Sequence, residues 1–204
     1  MSLSIAEVNE LKQAPVEGML PVLAHRWSPR AFKEAPVLAS DLKIILEAAR
    51  WAASSGNSQP WRFLVGIKGS ETHHKIFETL VGFNQSWAGK AGVLILGFAE
   101  NTDANGNPNG YALYDLGQAA VSLILQATAL GLATHSMAGF DHEAVRKAFG
   151  LTEEYTLGAV IAIGYQDAPA AIAKEHMLQR EIAPRERKPL SDIALTALGK
   201  PLKI

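Results

Sequence analysis

Ser54-Ser55-Gly56-Asn57-Ser58-Gln59-Pro60-Trp61 joins two stretches of different periodicity. Before it, Leu42, Ile45, Leu46 and Ala49 recur at helical spacing, in a helix that Ser40 is expected to cap. After it, Trp61, Phe63, Val65 and Ile67 alternate like a strand with one buried face. A helix-to-strand loop this dense in short hydrogen-bonding side chains can present amides and hydroxyls to a flat ligand with polar edges. An ordinary turn would choose the same residues for backbone reasons alone.

Upstream stands Arg26-Trp27-Ser28-Pro29-Arg30-Ala31-Phe32, in which arginines surround a hydroxyl at the end of one helix and before an extended stretch. Phosphate recognition needs charge-assisted donors of this kind, and arginine supplies them as a rigid fork. A solvated basic turn would look the same. The helix before it is expected through Met19 to His25, with Pro21 in its first turn, and Ser4 with Glu7 forms a capping box for a helix toward Gln13.

Downstream, a helix is expected through Ile76, Phe77 and Leu80. A nearly all-apolar strand follows from Ala91 to Ala99, central in its sheet because both faces are apolar. Asn101 to Gly110 reads as a polar loop, and Tyr111 to Leu130 as one long buried helix stopped at Gly131. A short strand covers Leu132 to Ala138, a helix from Asp141 to Phe149 ends on Gly150, and a last strand spans Leu157 to Tyr165. Residues 166–204, with Pro169, Pro184, Pro189 and Pro201, read as too irregular to pack as another compact layer, so they are expected to lie along a surface, their own or a partner's. From Lys174 onward seven basic residues face four acidic ones, which leaves this arm mildly positive.

Composition narrows the function classes. The chain has no cysteine, which excludes disulfides, thiolate metal sites and a thiol nucleophile. A net charge of −1 gives no reason to expect nucleic acid or an anionic membrane as partner. No apolar run is long enough to span a bilayer, and Met1 to Gln13 lacks the pattern of a secretory signal, so a cytoplasmic protein of one domain over residues 1–204 is expected. The common phosphate loops are missing. His142-Glu143 lacks the second histidine of a zinc-protease helix, since Arg146 stands there, and Asp103, Asn105 and Asn107 lack the acid a calcium loop needs. His135-Ser136 has no nucleophile elbow around it, and the histidines show no metal-ligand spacing, so no metal is expected.

Together, the segments at 26–32 and 54–61 resemble the nitroreductase family, whose members carry an Arg-x-Ser-x-Arg/Lys-x-Phe stretch followed, after a capped helix, by a Ser-Ser-x-Asn-x-Gln-Pro-Trp loop that feeds a strand. Gly131-Leu132 through Gly139-Phe140-Asp141, and Arg185-Glu186-Arg187-Lys188-Pro189-Leu190 in the arm, fit as well, so the resemblance spans about residues 20–195. It implies an α+β fold: a mixed central sheet flanked by helices in an intertwined homodimer, with the arm at 166–204 crossing onto the partner subunit.

The resemblance also implies the site. Arg26 and Ser28, with Arg185 and Arg187, would hold the phosphate of FMN, and Trp27 would add backbone contacts. Arg30 would face the N1/O2 edge of the flavin ring, where a cation stabilises negative charge. Ser54, Ser55 and Asn57 would reach the flavin of the partner subunit, Asn84 would touch the ring edge, and Ala138 and Gly139 would offer N–H groups near N5 and O4. Many relatives have glutamate where Ala138 stands, which removes a contact toward nicotinamide. The implied activity is transfer of reducing equivalents from NAD(P)H to a small electrophilic acceptor, a nitroaromatic or quinone, in a ping-pong scheme with no catalytic side chain, because the cofactor carries the chemistry. Reductive dehalogenation, enal or aldehyde reduction, oxygen-dependent flavin breakdown, and a flavin-binding module without turnover are the alternatives. The short loop at 101–110 predicts an open pocket with Phe83, Trp87 and Tyr111 as walls.

Overall fold

The apolar run at 91–99 becomes the interior of a sheet. In the computed structural model, which describes residues 3–203, β1 (Trp61–Ile67), β2 (Val93–Glu100), β3 (Ala133–Met137) and β4 (Tyr155–Gly164) form one sheet in the order β1-β2-β4-β3. β2 has a neighbour on each side and is buried from Val93 to Ala99, which is why both of its faces are apolar. Leu94, Leu96 and Phe98 pack on one side with Phe32, Ile76, Trp87, Val160 and Met177. Val93, Ile95 and Ala99 pack on the other with Ile45, Leu116, Leu123, Ile161 and Ile163. The register shifts between Leu96/Val160 and Phe98/Leu157, which inserts one extra residue in β4 and keeps Leu157 on the same face as Val160.

All strand pairs in this sheet are antiparallel, which corrects the expected mixed sheet. The topology explains it. β3 runs in the direction of β2 but lies two positions away, and β4 fills the slot between them in the opposite sense. The α+β class stands.

Around the sheet, α1 (Ile5–Lys12) carries the expected Ser4/Glu7 capping box, and α2 (Pro21–His25) has its proline in the first turn. α3 (Ala39–Arg50) starts two residues early: Leu38 occupies the N-cap without a side-chain bond, so Ser40 is not the cap. α4 (Glu71–Thr79) is capped by Ser70. α5 (Gly82–Ala88) was not expected, because its Gly, Asn and Ser content is poor for helix formation. Burial of Asn84, Trp87 and Ala88 supplies what intrinsic propensity does not. α6 (Ala112–Ala129) buries Leu116, Ala119, Leu123 and Ala127, but Leu113, Tyr114 and Val121 stay exposed. It is therefore buried on one side only, not all round. α7 (His142–Phe149) runs from the Asp141 cap to Gly150, whose φ of +66° is the left-handed stop a glycine allows.

The arm divides in two. α8 (Glu175–Ile182) packs on its own subunit and buries Met177 and Glu181. That corrects the reading of 166–204 as wholly irregular: the prolines bracket a helix whose apolar face is short but sufficient. Beyond Arg185 every residue except Ala194 is exposed up to Lys203, including a small hairpin of β5 (Leu195–Ala197) and β6 (Lys200–Pro201). Among the described residues, no helix is long and apolar enough to cross a membrane.

Candidate functional site

The segment at 26–32 leaves α2 and runs beside the ends of β3 and β4. Phe32 bridges Gln166, the Lys33 N–H donates to Tyr165 O at 2.9 Å, and the Asp167 N–H donates to Ala31 O at 2.9 Å. Beneath it, His135 Nδ1 lies 3.0 Å from Pro29 O; a carbonyl only accepts, so Nδ1 carries the proton. From the other side α8 presents Glu181, whose buried carboxylate accepts from the N–H groups of Arg30 (2.9 and 3.1 Å) and Ala31 (3.2 Å). Burial raises the Glu181 pKa, while these bonds and the charges of Arg30 and Lys12 oppose the rise.

With the segment fixed, its arginines converge with those of the arm. Lys12, Arg26, Arg30, Arg180, Arg185 and Arg187 line a cavity of about 190 Å³ together with Trp27 and Ser28, and no acid is among the lining residues. Arg185 stitches the two segments together, donating to Arg26 O and Ala24 O at 2.6 Å each. Arg26 Nη1 reaches Ser28 Oγ at 3.4 Å. Burial lowers the pKa of Arg26, and Arg187 lowers it further. Burial likewise lowers that of Arg185, with Arg187 and Arg26 adding to it. Partly buried like charges repel one another, and an anion between them would relieve that repulsion.

The structure thus brings Arg26, Ser28, Arg185 and Arg187 together, and Trp27 with them. It adds Lys12 and Arg180, which sequence reasoning missed. Lys12 is nearly buried at the end of α1, donates to Arg180 O at 2.9 Å and lies 4.9 Å from the centre of the Trp27 ring. Trp27 Nε1 donates to Asn9 Oδ1 at 2.8 Å, so the indole ties the arginine segment to α1.

A protein-family model described as the nitroreductase family matches residues 23–83 and 68–165, which includes both the arginine segment and the serine-rich loop. The chain belongs to the nitroreductase family. This nitroreductase-family chain is 36% identical over 149 residues to a 15.4 kDa protein of Mycolicibacterium smegmatis, over 69% of its own length and 99% of the relative. It is 29% identical over 188 residues to an NADH dehydrogenase of Thermus thermophilus, over 74% and 90% respectively. A solved structure described as an oxidoreductase containing FMN is 33% identical, covering 91% of this chain and 94% of that one with a TM-score of 0.84.

The other residues singled out in this nitroreductase-family chain are placed as follows. Ser54, Ser55 and Asn57 are outside the lining of the cationic cavity, on a loop whose turn at Ser55–Asn57 is largely exposed. That loop is tightly held all the same. The Ser55 N–H donates to Asp115 Oδ2 at 3.0 Å, and the Gln59 N–H donates to Ser54 Oγ at 3.0 Å. Asn57 (φ +55°) and Gln59 (φ +49°) take left-handed conformations that non-glycine residues adopt at a cost of about 1 kcal/mol or more each. Buried Asp115, which the sequence reading passed over, is the anchor.

Asn84 is buried with Nδ2 on Gly139 O at 2.9 Å, and the Val81 N–H donates to the same oxygen at 3.1 Å. A Cβ at Gly139 would stand 2.8 Å from Asn84 Nδ2, so glycine is needed for this approach. Ala138 beside it is exposed. The structure therefore unites Asn84, Ala138 and Gly139, with Asn84 positioning the loop.

The three expected pocket walls do not form one surface. Phe83 is half-buried, 5.8 Å from the Arg30 guanidinium. Trp87 belongs to the core at 5% exposure, stacked on Phe32 and 4.6 Å from the His135 ring. Tyr111 is 62% exposed at the start of α6. Nor is the loop at 101–110 slack: Asp103 Oδ1 accepts from the Asn105 and Asn107 N–H groups at 2.8 and 2.9 Å.

Proposed function

We propose that this chain is an FMN-dependent oxidoreductase that passes reducing equivalents from NAD(P)H to an electrophilic acceptor such as a nitroaromatic or quinone. The observation that carries the reading is the cationic cavity, where six basic side chains and Ser28 meet without an acid among them. Such a donor set fits a phosphate monoester dianion. Arg26, Ser28, Arg185 and Arg187 would bind that phosphate, with Lys12 and Arg180 adding charge. When bound, FMN supplies the redox chemistry. Arg30 has a buried Nε with no partner among the described residues and a guanidinium beside Phe83, so it is the cation available to the ring's N1/O2 edge. Asn84 would hold Gly139 and Ala138 against the opposite edge. The FMN-containing relative of solved structure supports the cofactor, and the NADH dehydrogenase of Thermus thermophilus supports the donor.

The working form in this reading is a homodimer. α6 keeps Leu113, Tyr114 and Val121 exposed, α3 keeps Ile44 and Trp51 exposed, and the arm carries Leu190, Ile193, Leu195 and Leu198 on no core of its own. A partner covers these surfaces and brings its Ser54 to Asn57 loop to the flavin. Because α8 and Arg185 pack on their own subunit, truncation has to spare them. Deleting residues 189–204 should leave a folded protein whose dimer dissociates roughly tenfold more readily or worse, measured by sedimentation. An unchanged dimer constant would contradict arm exchange.

Catalysis is tested by following NADH and NADPH oxidation by the flavin-loaded protein with a quinone and with a nitroaromatic. Steady turnover with at least one pair is expected. A protein that keeps FMN yet oxidises neither donor would overturn the enzyme reading.

A further inference from the structure

A second cavity of about 190 Å³ lies on the far side of the arginine segment, between α5 and α8. Its walls include the apolar faces of Phe32, Trp87 and Met177, and Arg30, Lys90 and Lys174 line it as well. No acid is among the lining residues. The nearby carboxylate of Glu181 is already taken by the N–H groups of Arg30 and Ala31. α5 and α8 are joined here by a contact of 3.6 Å from Ser86 Oγ to Met177 Sδ, so the walls are part of the packed structure.

Two donors in this wall are unsatisfied. Trp87 Nε1 and Arg30 Nε are both buried and have no hydrogen-bond partner among the described residues, although each belongs to a residue that lines the cavity. Trp87 is 5% exposed, so its indole N–H has lost water as well as a protein acceptor, which is unfavourable unless something accepts from it. Both orphans are donors, so the missing group is an acceptor. The surrounding lysines and arginine make that acceptor an anion. The apolar walls require the rest of the ligand to be a compact hydrophobic body, in keeping with the general make-up of small-molecule sites.

We propose that this cavity binds a small organic carboxylate with an aromatic or similarly compact apolar body, its carboxylate accepting from Trp87 Nε1 and balanced by the charges of Lys90 and Lys174. The site is distinct from the cationic cavity, which lacks apolar walls other than Trp27, and shares only Arg30 with it. It does not depend on the flavin reading, since Trp87 is not among the lining residues of the first cavity and its Nε1 is orphaned whatever that cavity holds.

The test is a titration of isotope-labelled, as-purified protein followed through the indole N–H signals of its four tryptophans. Benzoate, benzyl alcohol and benzylamine are the probes, equal in size and different in charge. Benzoate should saturably shift one indole signal, the one missing from the Trp87→Phe variant, while benzyl alcohol and benzylamine leave it in place. The double variant Lys90→Ala/Lys174→Ala, changed only at exposed side chains, should weaken the benzoate effect roughly tenfold. Should Trp87→Phe fail to fold, this double variant and the three-probe comparison decide on their own. A response to benzylamine as strong as that to benzoate, or no saturable shift up to about 10 mM benzoate, would overturn the site.

Discussion

Replacing Arg185 with alanine should weaken FMN binding by roughly 100-fold or more, because one side chain supports the cavity in two ways. Its guanidinium donates to the carbonyls of Arg26 and Ala24, which fixes the turn that aims Arg26 and Ser28, and it also lines the cavity itself. A hydrogen bond to a charged group contributes about 1.5–3 kcal/mol, and loss of two such bonds, with one cation fewer around a dianion, accounts for the size of the effect. Arg185→Lys restores the charge but not the planar fork that spans both carbonyls, so it should recover only part of the affinity. Fluorescence titration of flavin-free protein with FMN measures this, with thermal melting as the check on folding. An Arg185→Ala affinity within threefold of the parent would remove this residue from the site.

The second large effect concerns pH. Burial, aided by the charges of Arg30 and Arg26, lowers the His135 pKa from 6.5 to about 4, against the pull of the Pro29 carbonyl. The unfolded chain takes up this proton near pH 6.5 while the folded protein resists until about 4, so the unfolded state binds more protons in that window. Stability from this group is therefore present above pH 6.5 and is lost as the pH falls toward 4, by about 3 kcal/mol in all. Glu181 contributes with the opposite sign: its pKa is raised, so its share of stability declines as pH rises through the window between its unfolded and folded values. The readout is accordingly a difference. His135→Asn keeps a donor for Pro29 O but cannot titrate, and denaturant unfolding at a series of pH values should show a flatter acid slope than the parent. Equal slopes would mean that His135 does not stay neutral in the fold.

The parts of this structure legible in the sequence are those in which one periodicity acts alone. Alternation from Trp61 to Ile67 marked the extent of β1 but not its burial, since Leu64 packs on the opposite face from Phe63 and Val65 and Ile67 is exposed, while the unbroken apolar run placed β2 inside the sheet. α5 was illegible because its residues are poor helix formers and tertiary burial of Trp87 and Ala88 sets its conformation. The same burial turned Trp87 from an expected open-pocket wall into a core residue. Strand direction was misread because it follows from which slot β4 fills, a choice no single segment encodes.

In the site, the family motif located Arg26, Ser28, Arg185 and Arg187, which meet across about 160 residues of chain. Lys12, Arg180 and Glu181 carry no local signature. A lysine in the last turn of one helix, and an arginine and a glutamate on another, look like solvated surface until the helices are packed. Asp115 was hidden for the converse reason, within a helix that reads as one long buried segment.

In the proposed function the cationic cavity holds the phosphate of FMN. The most direct measurement is to purify the protein, denature it, and identify and count the flavin released. About one FMN per chain is the predicted result. Colourless protein that takes up no added FMN, or protein that binds riboflavin as tightly as FMN, would contradict it.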